Sequence, residues 1–167
     1  MGLGSFAYNL VLLLHIVCVI VGFGGVILNG VYASRAQQLP PEQNLAVMEV
    51  NSFVSMKVAE IFIYLVPIFG FGLVSMSDGA YGWGDLWVWL SIVIYVISLG
   101  VSHGLLMPTV KKMLDLQRGM VAAGPPSAGP PPEVAQLQAM GKRIGGTSML
   151  LHLSLVVILI LMIWKPT

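Results

Sequence analysis

The chain has 167 residues, of which 57% are hydrophobic and only 9% are charged, with a formal net charge of +1. Soluble domains carry about 25% charged residues, so this composition argues against a water-soluble domain and indicates a chain that resides in lipid. The near-neutral charge gives no electrostatic reason to expect a nucleic-acid partner, and we expect membrane lipids to be its surroundings.

The first apolar segment runs from about residue 6 to residue 32. No Lys or Arg precedes it, which argues against a cleaved signal peptide. We therefore expect this segment to remain as structure. The single cysteine, Cys18, lies inside it, so no disulfide within the chain is expected.

Three further segments are apolar enough to cross a bilayer. A membrane-spanning helix needs about 20 mostly apolar residues, because each residue rises about 1.5 Å and the hydrocarbon core is about 30 Å thick. The predicted spans are residues 6–32, 58–76, 86–107 and 147–164. The sequence thus predicts an all-α membrane protein, a bundle of four transmembrane helices forming one integral membrane domain over residues 1–167.

The connections between the spans differ in composition. The first is polar and is broken by Pro40 and Pro41, and the second, SDGAYGWGD, is a short Gly-rich turn. The third is the longest and contains a Pro-rich loop at about residues 119–133, which we expect to be a solvated, semi-rigid linker.

The positions of the cations predict an orientation. Short cytoplasmic loops carry an excess of Lys and Arg, and every cation except Lys165 falls at one end of the predicted bundle. We therefore expect both termini on the outer side of a multi-pass protein in the inner (cell) membrane. An aromatic belt is predicted at the outer interface, formed by Tyr81, Trp83, Trp87, Trp89 and Trp164.

Two histidines are predicted to lie at similar depth in the membrane. Helix rise places His15 about 13 Å and His152 about 18 Å below the outer surface. Such a pair is the arrangement that a b-type haem needs, with each imidazole as an axial ligand. The alternative is that each histidine only donates a hydrogen bond to a neighbouring helix.

The neighbours of these histidines suggest a copper site as another reading. Cys18 follows His15 by three residues and Met149 precedes His152 by three, so each sulfur shares a helix face with its histidine. Thiolate, thioether and imidazole together suit Cu(I). Buried Met and Cys are also ordinary packing residues, which is the competing interpretation.

Other polar residues within the spans are further candidates, because ionisable groups at membrane depth usually have a function. Glu60 follows Lys57 by three residues, which predicts an ion pair near the cytoplasmic interface or, alternatively, a proton-accepting carboxylate at a quinone or ligand pocket. His103 is expected near the cytoplasmic face. Asn29 shares a face with His15 on the first helix.

Glycines remove side chains from the cytoplasmic half of the first helix. Another backbone or a flat ligand can approach closely there. The glycines are Gly22, Gly24, Gly25 and Gly30.

The first helix, LLHIVCVIVGFGGVI, resembles the opening helix of several bacterial families in which a histidine is followed ten residues later by a glycine. They are the membrane part of copper-resistance protein D, HemJ-type protoporphyrinogen oxidases, and a small uncharacterised family of four-helix integral membrane proteins. The segments GWGDLWVWLSIVIYVISLGVSHGLLMPTVKKM and LILMIWKPT are similar to the last family. The resemblance implies that His15 is a haem or metal ligand and that Gly25 is its packing partner. The chain departs from the HemJ-type enzymes at Gly22, where they have a Trp.

The sequence contains no catalytic signature and leaves three classes of function open. The first is a small haem-binding, redox-associated membrane protein that uses His15 and His152. The second is a non-catalytic accessory or structural subunit that docks on a larger membrane complex or on its own copies. The third is a copper-handling protein.

Overall fold

The computed structural model describes residues 2–125, 129 and 131–166. Within these residues the ordered structure is entirely helical, and four helices are long and apolar enough to cross a membrane. We refer to them as the first to fourth long helices: Phe6–Ala36, Pro41–Ser75, Leu86–Ala123 and Pro132–Trp164. The prediction of an all-α, four-span protein is confirmed.

Three of the long helices are divided into shorter elements. The first comprises α1 (Phe6–Ile27) and α2 (Asn29–Ala36). The second comprises α3 (Pro41–Phe53), a π-helical segment (Val54–Ala59) and α4 (Glu60–Ser75). The third comprises α5 (Leu86–Val101), a second π-helical segment (Ser102–Leu106) and α6 (Met107–Ala123). The fourth is a single helix, α7 (Pro132–Trp164).

The Pro-rich loop is shorter than expected. The third long helix continues to Ala123 and the fourth begins at Pro132, so helix covers both ends of the predicted 119–133 loop. Proline is tolerated in the first turn of a helix, where its missing N–H has no partner to lose. Part of the expected linker, residues 126–128 and 130, lies outside the described residues.

The bundle has two halves: the first long helix packs against the second, and the third packs against the fourth. α1 packs mainly against α4, and α7 packs against α5 and α6. α3 also packs against α6, which joins the two halves of the bundle at one end. Many apolar side chains outside these contacts are exposed, among them Ile163 at 70%. This is the pattern of a chain whose outer surface faces lipid.

A hydrogen bond beside Pro67 joins the second and third long helices. Pro67 has no N–H, so the carbonyl of Ile63, four residues earlier, loses its helical donor. The hydroxyl of Tyr95, on α5, donates to that carbonyl at 2.8 Å. The side chain of one helix thus satisfies the backbone group that the proline leaves free in another.

The described residues near the two termini lie at the same end of the bundle. Gly2 lies beside Asp78, and the Lys165 ammonium donates to the Tyr81 hydroxyl oxygen at 2.6 Å. Both Asp78 and Tyr81 belong to the turn between the second and third long helices. Three of the predicted belt aromatics gather there, with Tyr81 edge-on to Trp87 and Trp83 against Phe71. The assignment of this end to the outer side stays a prediction from the cation count.

Candidate functional site

Three ionisable side chains from two long helices meet in one cluster. The Tyr64 hydroxyl oxygen lies 2.6 Å from Glu60 Oε1 and 2.6 Å from His103 Nε2. His103 Nε2 lies 2.9 Å from the same Glu60 oxygen. The three atoms form a closed triangle, which we call the Glu60–Tyr64–His103 cluster.

Local helix geometry places these side chains. Glu60 and Tyr64 are four residues apart on α4 and therefore share a face. One π-helical segment ends immediately before Glu60, and the other contains His103. A π segment, with its i→i+5 bonds, shifts the faces of the helix around it, and such segments occur frequently at functional sites.

A hydrogen bond between every pair of atoms in the cluster would need one proton more than the tyrosine hydroxyl supplies. His103 Nδ1 lies 2.9 Å from the Leu99 carbonyl oxygen, which can only accept, so we assign a proton to Nδ1. In a neutral ring Nε2 is then an acceptor, as is an ionised Glu60 carboxylate. Because the Tyr64 proton cannot bridge every pair, a hydrogen bond across the 2.9 Å between Glu60 and His103 would need a further proton on one of them.

The cluster is accessible from the outside of the bundle. The side chains of His103 and Glu60 are 41% and 20% exposed. Ionisable groups at membrane depth are costly when they face lipid alone. A hydrogen-bonding partner at this face would therefore stabilise the exposed polar atoms.

The predicted partner of Glu60 was wrong. Glu60 Oε1 lies 2.9 Å from His103 Nε2, an ion pair when the ring is protonated, and among the described residues it forms no ion pair with Lys57. The sequence singled out Glu60 and His103 but did not connect the two helices. Their shared depth near the cytoplasmic end was the available signal.

His15 is buried and bonded to the second long helix. Its Nδ1 lies 3.0 Å from the carbonyl oxygen of Val66. The ring lies against Gly70, where an added Cβ would come within 3.3 Å of its Cε1 atom. Glycine at this position therefore makes room for the imidazole.

His152 lies on α7, which packs mainly on α5 and α6, whereas His15 lies on α1, which packs mainly on α4. The structure thus does not place the two histidines on a pair of closely packed helices. Within the described part of the chain, His152 Nε2 is buried and has no hydrogen-bond partner. Both histidines as cofactor ligands remain a prediction.

The sulfur atoms of the copper hypothesis lie in different surroundings. Cys18 is 4% exposed inside the bundle, whereas Met149 is 64% exposed. Among the described residues, no group of three or more His, Cys, Asp or Glu side chains has a metal-binding arrangement. Copper handling stays a prediction, and the described residues do not form a copper site.

The remaining candidates on the first long helix make helix contacts. A Cβ on Gly22 would lie 3.1 Å from the backbone nitrogen of Ile63, and one on Gly25 would lie 3.4 Å from the Ala59 Cβ. The second long helix packs against the face formed by Gly22 and Gly25. The side-chain oxygen of Asn29 accepts a hydrogen bond from Ser55 at 2.9 Å.

These features define a four-helix integral membrane protein with a polar cluster between its second and third long helices. The family model described as "Predicted integral membrane protein (DUF2269)" matches residues 9–166, and the chain belongs to that family. No curated protein and no solved structure matches the chain. The similarity to copper-resistance protein D and the HemJ-type enzymes therefore stays a prediction.

Proposed function

We propose that this protein exchanges a proton with a lipophilic ligand bound at the Glu60–Tyr64–His103 cluster. The observation that carries the proposal is the triangle of Glu60 Oε1, Tyr64 Oη and His103 Nε2 on an exposed face of the bundle. The step is a proton transfer only. The proton shared by Glu60 and His103 passes to or from the ligand.

The chemistry of the cluster indicates the class of ligand. The cluster offers a hydroxyl donor and a carboxylate acceptor side by side, which suits a ligand with a carbonyl or phenolic oxygen. The rings of Tyr64 and His103 lie with centroids 6.0 Å apart and planes tilted by 31°, and so add an aromatic surface. Quinones and quinols combine these groups with solubility in lipid.

Binding of decylubiquinone and decylubiquinol to the protein in lipid nanodiscs tests the proposal. Glu60→Gln keeps the size of the side chain and removes its charge, and we expect it to weaken quinol binding about ten-fold or more, because hydrogen bonds to charged groups contribute about 1.5–3 kcal/mol. Glu49→Gln is the matched control, since Glu49 lies on the same long helix and binds Arg118 at 2.7 Å. Equal affinity of both variants and the unchanged protein would contradict the proposal.

A second candidate function is haem binding through His15, alone or with His152. Histidines that bind metals commonly donate their other ring N–H to a backbone carbonyl. The Val66 carbonyl can accept this hydrogen bond from His15 Nδ1, which leaves His15 Nε2 as the nitrogen that could bind a metal. The buried Nε2 of His152 has no partner among the described residues. A haem iron held by His15 would supply one-electron transfer when bound.

The absorption spectrum of protein purified from haem-replete cells tests the second candidate. We expect a Soret band that is lost in His15→Ala and kept in His103→Ala, the control from the exposed cluster. A colourless preparation of the folded, unchanged protein would rule this candidate out.

A further inference from the structure

A groove with two cations runs between the third and fourth long helices. Its volume is about 360 Å³, and it lies at the end of the bundle opposite both termini. Both helices contribute to its walls. The lining residues used below are Gly104, Leu105, Lys112 and Arg143.

One end of the groove is positively charged. Lys112 comes from α6 and Arg143 from α7, and both are exposed. Within the described residues neither forms an ion pair, and the nearby carboxylate of Asp115 binds Arg118 at 2.8 Å. Two uncompensated cations on facing helices form a site for a multivalent oxyanion such as a phosphate group.

The other end of the groove is apolar and open. Leu105 is 43% exposed, and a Cβ on Gly104 would meet no atom within 4 Å. Both residues lie inside the predicted span of residues 86–107. Lys112 lies about 7.5 Å beyond the end of that span by helix rise. With the span as predicted, the groove would pass from the hydrocarbon layer to the level of the lipid phosphates.

We infer that this groove binds an anionic phospholipid, with its phosphate between Lys112 and Arg143 and an acyl chain along Gly104 and Leu105. Basic pockets between transmembrane helices on the cytoplasmic side bind anionic lipid head groups. The apolar floor favours a lipid over a free phosphate ion, because a free ion would leave Leu105 and Gly104 uncovered. This inference is independent of the proposed proton exchange.

Native mass spectrometry of the detergent-solubilised protein with added phosphatidylglycerol or phosphatidylcholine tests the inference. We expect Lys112→Gln with Arg143→Gln to weaken phosphatidylglycerol binding about 20- to 30-fold, since each cation near the surface contributes about 1 kcal/mol. The matched control is Lys111→Gln with Lys142→Gln, which removes the same charge from adjacent positions that do not line the groove. We expect the control pair to weaken binding less than three-fold.

Other results would overturn the inference. Equal losses in the two double variants would show general attraction to a basic surface. Equal retention of phosphatidylcholine and phosphatidylglycerol by the unchanged protein would show that the cations do not select the lipid. Displacement of phosphatidylglycerol by millimolar inorganic phosphate would identify the free ion as the ligand.

Discussion

Glu60 and His103 lie on different long helices, yet the Glu60 Oε1 and His103 Nε2 atoms are 2.9 Å apart. Tyr64 bonds to both of these atoms, and a π-helical segment adjoins or contains each member of the pair. A shared proton is the simplest way to satisfy this contact. The pair is therefore expected to behave as one titrating unit.

His103→Gln tests the shared proton. In the unchanged protein, we expect infrared difference spectra across a pH titration to show the Glu60 carboxyl band and the His103 ring band changing in the same transition. In the variant, the carboxyl band should change at a different pH, because the partner that shares its proton is gone. His152→Gln is the control and should leave the carboxyl transition in place. An unchanged carboxyl transition in His103→Gln would contradict a shared proton.

The bond from Tyr95 to Ile63 can be tested with a double-mutant cycle. We expect Tyr95→Phe to lower the free energy of unfolding by about 1 kcal/mol, within the range of interhelical hydrogen bonds in membranes. In a Pro67→Ala background the same change should cost much less, because the alanine N–H supplies the helical donor that the proline lacks. Unfolding in mixed detergent micelles measures both values.

The control for that cycle is Tyr32→Phe, which changes an exposed tyrosine on α2. It should have little effect in either background. Equal costs of Tyr95→Phe with and without Pro67 would mean that the proline does not create the need for this hydrogen bond.

Gly22 is predicted to be required for close packing of the first two long helices. A Cβ added at Gly22 would lie 3.0 Å from Ile63 Cγ1 and 3.1 Å from the Ile63 backbone nitrogen, and moving the backbone aside costs free energy. We expect Gly22→Ala to destabilise the protein by about 1–3 kcal/mol, the usual cost of overpacking.

Gly24→Ala is the matched control, because an added Cβ there meets nothing within 4 Å. It should be neutral or stabilising by up to about 1 kcal/mol, since alanine favours helix more than glycine does. Unfolding of both variants in mixed micelles gives the comparison. A Gly22→Ala protein as stable as Gly24→Ala would contradict the packing described for this face.

The fold was largely predictable because hydrophobic length determines where helices cross a membrane. Apolar runs of about 20 residues are strong local signals. The start of the third long helix after Asp85 and the end of the fourth at Trp164 were visible in the same way. The extension of helix into the Pro-rich loop was not, because Pro132 begins a helix as readily as it interrupts one.

The contacts of the candidate site were less predictable, because helix rise gives depth but not the direction in which a side chain points. His103 and Glu60 were both expected near the cytoplasmic end, but nothing local orients them toward each other. The i, i+3 spacing of Lys57 and Glu60 suggested an ion pair, yet Lys57 lies in a π-helical segment, where that spacing no longer keeps two residues on one face.

The Glu60–Tyr64–His103 cluster is proposed to exchange a proton with a bound lipophilic ligand. The most direct measurement is the infrared difference spectrum recorded when decylubiquinol binds the protein in nanodiscs, because it follows the protonation of the Glu60 carboxyl group inside the complex. We predict a change in the carboxyl band on binding in the unchanged protein and in Glu49→Gln, and its loss in Glu60→Gln. Binding with no change in carboxyl protonation, or with the same band change in Glu60→Gln, would contradict the account.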